Sequence, residues 1–135
     1  MGLKKIYLDS CIAIYVVEAH PQYATKVTAE LNALSSAQIC YSPLVRLECL
    51  VKPLQAKNQS LQNLYAQFWA PQQNLSLVDD IFLRAAQLRA DFPSVKTPDA
   101  IHLATALHYG CDEFWTNDDR LAKIAPTLAK NVLTT

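Results

Sequence analysis

Four acidic side chains occupy positions where a carboxylate invites a chemical reading: Asp9, Glu48, Asp99 and Asp118. Asp9 closes the apolar run Ile6-Tyr7-Leu8, and Asp118 follows the run Phe114-Trp115-Thr116. Glu48 lies one turn beyond Leu44 in an otherwise apolar helical stretch, while Asp99 falls in the first turn of a nearly all-apolar helix. In a parallel α/β domain the strand exits and the helix starts that follow them share one edge, so these distant residues could converge there. Four carboxylates together repel one another and call for a compensating cation. Oxygen donors without a His/Cys set favour a hard ion, Mg²⁺ or Mn²⁺. Such an ion activates water and neutralises a phosphate under attack. Plainer roles stand beside this one. Asp9 and Asp118 could be caps or loop residues, Asp99 could offset the helix partial charge, and Glu48 could pair with Lys52, four residues on, for a few tenths of a kcal/mol. Periodicity does not choose between Asp118 and its neighbour Asp119.

The elements that would carry these residues follow from pattern and punctuation. The stretch Ser94 to Cys111, SVKTPDAIHLATALHYGC, predicts a buried helix capped by Thr97, with Pro98 in its first turn and a stop at Gly110. Lys4 to Asp9 predicts a short buried strand. Ser10 is expected to cap the helix CIAIYVVEA, and a second helix runs from about Tyr23 to Leu34. Gln38 to Tyr41 reads as a strand, Ser42-Pro43 opens a helix, and Pro53 is expected to break it. From Leu54 to Ala70 the chain stays helical, with a stripe of Leu61, Leu64, Tyr65, Phe68 and Trp69. That stripe either covers the core or forms a protruding arm that contacts a partner. Leu75 to Val78 predicts a strand, Asp79 to Asp91 a helix, Asp112 to Thr116 a strand, Asn117-Asp118-Asp119 a helix start, and Asn131 to Leu133 a last strand. This alternation favours a three-layer α/β domain with a largely parallel sheet and a crevice beyond the carboxyl ends of its strands.

Composition narrows the classes. At 135 residues the chain fits one domain, 1–135, and a hydrophobic fraction of 51% supports an ordered core. The formal charge is zero, so no broad basic field advertises nucleic acid. With the four candidate acids set aside, 8 acidic residues against 12 basic ones leave +4 around them, an arrangement suited to phosphates at a rim and an ion at the centre. Cys11, Cys40, Cys49 and Cys111 show no CxxC spacing and read as free thiols of a cytoplasmic protein. No apolar run approaches membrane-spanning length, and the two glycines exclude a GxGxxG or GxxxxGK loop.

YLDS at Tyr7 to Ser10, the helical Glu48, TPDAIHLATA at Thr97 to Ala106 and TNDDRL at Thr116 to Leu121 occur in one order along the chain. In these pieces the chain resembles the PIN-domain superfamily, and within it the VapC-type ribonuclease toxins of type II toxin–antitoxin pairs. The resemblance implies an α/β/α PIN-like fold with a short, mainly parallel central sheet and a helical arm around 54–70. It implies an endoribonuclease that hydrolyses RNA phosphodiester bonds through a metal-activated water, with Asp9, Glu48, Asp99 and Asp118 as the catalytic acids. Asp9, Asp99 and Asp118 would hold Mg²⁺ or Mn²⁺. Asp118, not Asp119, matches the family's acid, and Asp119 stands where a basic residue is common. Ser10, Thr116 and Asn117 match as supports of the pocket. The resemblance also implies an RNA substrate, tRNA among the candidates, a homodimer, and an antitoxin that contacts the arm at Leu61, Leu64, Tyr65, Phe68 and Trp69. The alternative reading is a PIN-like RNA- or protein-binding regulatory module with weak or no catalysis.

Arg46, Lys96 and Arg120 lie near the acids in sequence and are candidates for RNA phosphate contacts. Each could instead form a salt bridge or face solvent. His102, three residues after Asp99, could share its helix face but reads first as a partly buried structural histidine, since this chemistry needs no imidazole base.

Overall fold

A central strand, β1 (Lys4–Leu8), pairs in parallel with β2 (Ala37–Tyr41) on one side and β4 (Glu113–Thr116) on the other. The computed structural model describes residues 3–34 and 36–134; residues 1, 2, 35 and 135 of the expected 1–135 unit lie outside it. β3 (Gln73–Asn74) extends the β2 side and β5 (Ala129–Asn131) the β4 side, both parallel, giving the order β3-β2-β1-β4-β5. The winding reverses between β1 and β4, and at such a switch point the diverging connections leave a crevice beyond the strand ends. Those two ends run directly into Asp9 and into Asn117-Asp118.

The period of two along the strands sorts their side chains into two cores. Ile6, Leu8 and Trp115 pack on one face with Ile12, Val27 and Val132. Tyr7, Cys40 and Phe114 face the other side with Val45, Cys49, Leu103 and Ala104. Accordingly, α2 (Ala24–Asn32) and a 3₁₀ turn (Val132–Thr134) cover the first face. On the second face lie α3 (Pro43–Gln55), α4 (Gln59–Trp69), α5 (Asp79–Asp91) and α6 (Thr97–His108). α1 (Ser10–Val17) contributes Ile12 to one core and Ala13 to the other, and α7 (Asp119–Ile124) adds Leu121 to the second. The fold is thus a three-layer α/β/α sandwich around a short parallel sheet.

α6 buries Ala100, His102, Leu103, Ala104, Thr105 and Ala106, as its apolar sequence requires. Its end is a complete Schellman motif. Gly110 takes φ +66°, while the N–H groups of Cys111 and Gly110 reach back to the carbonyls of Ala106 and Leu107. α5 matches its expected bounds. Among the described residues, no helix is long and apolar enough to cross a membrane.

Several local expectations shift. Asp9, not Ser10, caps α1, because the extended backbone at Asp9 turns its carboxylate onto the Ser10 N–H. Thr97 is the first residue of α6 rather than its cap, and its hydroxyl accepts from Arg89. Pro53 does not end α3, which continues to Gln55; so near the terminus, the missing N–H removes only one bond. The expected 54–70 helix divides there, with Lys57 at φ +52° and Asn58 capping α4 through Leu61 N–H. The third strand lies at Gln73–Asn74 instead of Leu75–Val78, and the last at Ala129–Asn131 instead of Asn131–Leu133. In the first case the Leu75 N–H closes the pairing on the Tyr41 carbonyl, and its side chain goes into the core.

Candidate active site

Asp9 leaves β1 with its own N–H bonded to the Trp115 carbonyl, so adjacent strands hold its backbone. The residue is 7% exposed. Oδ1 accepts from the Ser10 N–H at 2.7 Å and Oδ2 from the Thr116 hydroxyl at 2.9 Å. The same Thr116 oxygen accepts from the Asp118 N–H at 3.1 Å, so one buried hydroxyl ties the exits of β1 and β4 together. Asp118 caps α7. Its carboxylate takes the Arg120 N–H at 2.9 Å and the Arg120 guanidinium at 3.2 Å and 2.9 Å. These bonds hold the Asp118 carboxyl below its usual range.

Glu48 projects from α3 and His102 from α6. Their side chains meet at 2.6 Å, Oε1 to Nε2, with His102 only 1% exposed. The same Nε2 lies 3.9 Å from Asp9 Oδ1. Donor atoms of Asp9, Glu48 and His102 all fall within 4.8 Å of one another, a cluster able to coordinate a divalent ion. Asp99, in the first turn of α6, has its carboxyl pushed up by burial and then by the negative charges of Asp9, Asp118 and Glu48. That shift puts Asp99 within electrostatic reach of the other three acids. Burial drives the Cys11 thiol up, and burial together with the neighbouring Glu48 charge pushes the Cys49 thiol up to about 12, so both rest as thiols in the metal-free site. The candidate donors are carboxylate oxygens with one imidazole beside them, a group that fits a hard or borderline divalent ion.

The remaining candidates divide. Ser10 supports Asp9 through its N–H, and its hydroxyl lies 3.4 Å from the same oxygen. Thr116 is central, while the Asn117 amide turns to the Tyr15 hydroxyl. Asp119 accepts from Asn131 on β5. Arg120 is committed to Asp118, Lys96 is exposed at the α6 N-cap, and Arg46 lines a cavity of about 510 Å³ with Tyr41, Gln59, Asn63 and Trp69. The α4 stripe also splits. Tyr65 and Trp69 are core, which corrects their assignment to a partner surface, whereas Leu64 is 49% exposed and Leu61 and Phe68 are partly buried.

His102, read from sequence first as a partly buried structural histidine, is fully buried and bonded at both ring nitrogens, and two residues behind it have no signal in the sequence. Tyr7 reaches His102 Nδ1 at 2.7 Å and Ser42 Oγ at 2.8 Å. The spacing of Asp99 and His102 on one helix was the available signal.

A scan against protein families matches residues 6–126 to the PIN domain. The chain belongs to the PIN-domain family. Among solved structures, the PIN-domain chain is similar to VapBC2 of Rickettsia felis bound to a promoter DNA fragment, at TM-score 0.80 and 16% identity over 93% of this chain and 97% of that one. It is similar to VapBC-1 of nontypeable Haemophilus influenzae at TM-score 0.78 and 14% identity, over 97% and 99%. It is also similar to Mycobacterium tuberculosis VapC20, a sarcin–ricin-loop-cleaving toxin, at TM-score 0.68 and 15% identity, over 87% and 94%. At these identities the likeness is one of fold. No curated protein sequence matches the chain. The PIN fold and the acidic/His cluster at its switch point together support a metal-dependent nuclease-like function.

Proposed function

We propose that this PIN-domain chain is a metal-dependent endoribonuclease, the toxin of a type II toxin–antitoxin pair. The observation that supports the reading is the cluster of Asp9, Glu48 and His102 beside the β1/β4 switch point, with Asp99 in electrostatic reach of Asp9, Asp118 and Glu48. Asp9, Asp99 and Asp118 would hold Mg²⁺ or Mn²⁺. When bound, such an ion supplies positive charge to the scissile phosphate and makes water more acidic. Asp9 is pre-set for this by the Ser10 N–H and the Thr116 hydroxyl. Glu48, with Oε1 engaged by His102, keeps its second oxygen to accept a proton from the attacking water and to aim it at phosphorus. The resulting ends would be 5′-phosphate and 3′-hydroxyl.

The substrate in this reading is RNA, tRNA among the candidates, with Lys96, Arg46 and, once released from Asp118, Arg120 as the groups that would meet its phosphates. Cleavage of the sarcin–ricin loop by the similar VapC20 supports the class of substrate. A similar structure that is a toxin–antitoxin complex, from Klebsiella pneumoniae, supports an antitoxin partner. On this chain the accessible part of the arm is Leu64 with the edges of Leu61 and Phe68, braced from beneath by Tyr65 and Trp69. A cytoplasmic homodimer completes the proposal.

The test is cleavage of RNA by the purified chain with Mg²⁺ or Mn²⁺, beside Asp9→Asn and Asp99→Asn. Metal-dependent cutting lost in both folded variants is expected. Equal cutting by all three proteins would assign the activity to a contaminant and sink the reading.

A further inference from the structure

Behind the carboxylates runs a chain of side-chain bonds that begins and ends on α3. Ser42 Oγ lies 2.8 Å from the Tyr7 hydroxyl, the Tyr7 hydroxyl 2.7 Å from His102 Nδ1, and His102 Nε2 2.6 Å from Glu48 Oε1. Ser42, Tyr7 and His102 are 0%, 0% and 1% exposed, so water does not compete for the two inner bonds, while the bond to Glu48 is partly buried. Ser42 occupies the N-cap position of α3, where a serine ordinarily bonds the helix's free N–H groups, yet its side chain makes no cap bond. It is turned to Tyr7 instead.

The direction of the chain follows from what each group can do. An ionised carboxylate only accepts, so Nε2 carries the hydrogen toward Glu48. In the neutral ring Nδ1 is then an acceptor, and the Tyr7 O–H donates to it. Burial pushes the Tyr7 phenol well up, which keeps that hydrogen in place. The Tyr7 oxygen in turn accepts from the Ser42 hydroxyl. The alternative use of Nε2, as a metal ligand, requires its lone pair to be free. At 2.6 Å from Glu48 against 3.9 Å from Asp9, the nitrogen is engaged with Glu48.

We propose that His102 is a positioning residue for Glu48, and that the buried Ser42–Tyr7 pair holds its ring in the Nε2–H tautomer that fixes the Glu48 carboxylate. The ion site is then lined by carboxylate oxygens, with the imidazole behind them. β1, α3 and α6 are joined at one point, so α3 cannot turn Glu48 away without breaking bonds in the core. This inference rests on the nuclease reading for the use made of Glu48; the tautomer does not depend on it.

The experiment is long-range ¹H–¹⁵N correlation on the full chain labelled at histidine, at neutral pH, without metal and with saturating Mg²⁺. His102 is assigned by the signals lost in His102→Gln. The expected pattern has a protonated Nε2 and an unprotonated Nδ1, unchanged by Mg²⁺. Tyr7→Phe is expected to keep the folded fingerprint, to mix the tautomers, and to lower kcat for RNA cleavage about 10–100-fold with KM little changed; Ser42→Ala does the same more weakly. An Nδ1–H ring, or an Nε2 that loses its hydrogen to Mg²⁺, would overturn the proposal. So would wild-type spectra and kcat in a folded Tyr7→Phe. If Tyr7→Phe does not fold, the wild-type and Ser42→Ala spectra decide. If the wild type cuts no RNA, the nuclease reading fails while the spectra still decide the tautomer.

Discussion

Asp9 and Asp118 leave neighbouring strands and share one threonine hydroxyl, yet the fold holds them in opposite ways. Asp9 is buried and bonded by uncharged donors, the Ser10 N–H and the Thr116 O–H. Asp118 is partly exposed and faces the guanidinium of Arg120, whose side chain is 58% exposed. Short donors on rigid backbone keep a carboxylate's position while leaving its charge uncompensated. A long exposed cation compensates charge, but water and salt readily replace it. A cation arriving at the site therefore meets a fixed, charge-hungry ligand at Asp9 and a competitor at Asp118. The buried half sets geometry and the exposed half sets access.

The strongest way to break this contrast is at the buried carboxylate. Asp9→Asn is expected to cut metal-dependent RNA cleavage about 10²–10³-fold, read from initial rates at saturating Mg²⁺. A variant within threefold of wild type would remove Asp9 from the centre of the site. Thr116→Val keeps the side chain's volume but unties the two strand exits. It leaves Asp9 Oδ2 and the Asp118 N–H without their partner, at a loss of about 1–3 kcal/mol in stability. Metal affinity by calorimetry is expected to fall about 10–100-fold. Lower stability with unchanged affinity would reduce Thr116 to a structural role.

The same contrast explains what was readable in the sequence. Strand exits and helix starts are local signals, so Asp9, Asp99 and Asp118 stood out, and the TND match separated Asp118 from Asp119. The structure sends Asp119 to Asn131. The bond between Glu48 and His102 joins residues 54 apart, and it depends on which faces of α3 and α6 meet. No window of sequence contains that information. Tyr7 read correctly as a buried strand residue, but its hydroxyl partners come from two other elements. The α4 stripe showed helical spacing without showing where the apolar arc ends, so Tyr65 and Leu64 looked alike until packing buried one and exposed the other. The third strand was misplaced because its two residues, Gln73 and Asn74, are polar edge positions selected by their backbone partners on β2.

Asp99 and Asp118 should respond to acid with opposite signs. The Asp99 carboxyl is raised in the folded chain by burial and by neighbouring acids, so its charge weighs against folding at neutral pH. That penalty lifts as pH falls through the folded value and is gone below the unfolded one. Asp99→Asn is accordingly expected to stabilise the metal-free protein at pH 7 by about 1 kcal/mol, the usual scale for relieving a functional site. The gain should vanish near pH 3 in denaturant unfolding. A gain equal at both pH values would refute the electrostatic cause. For Asp118, lowered by Arg120, the stabilising contribution is present above the unfolded value and is lost as pH falls through the folded one.

The smallest expected effect isolates access from geometry. Arg120→Ala removes the cation facing Asp118 while leaving its cap bond from the residue 120 N–H in place. The unfolding midpoint should stay within about a degree, because an exposed pair contributes little. Metal affinity at low salt should rise about two- to threefold as the competitor disappears, and the gap should close by about 0.5 M salt, where screening has already loosened the pair in the wild type. A fall in affinity instead would mean that Arg120 holds Asp118 in its working position, and the exposed half would then set geometry as the buried half does.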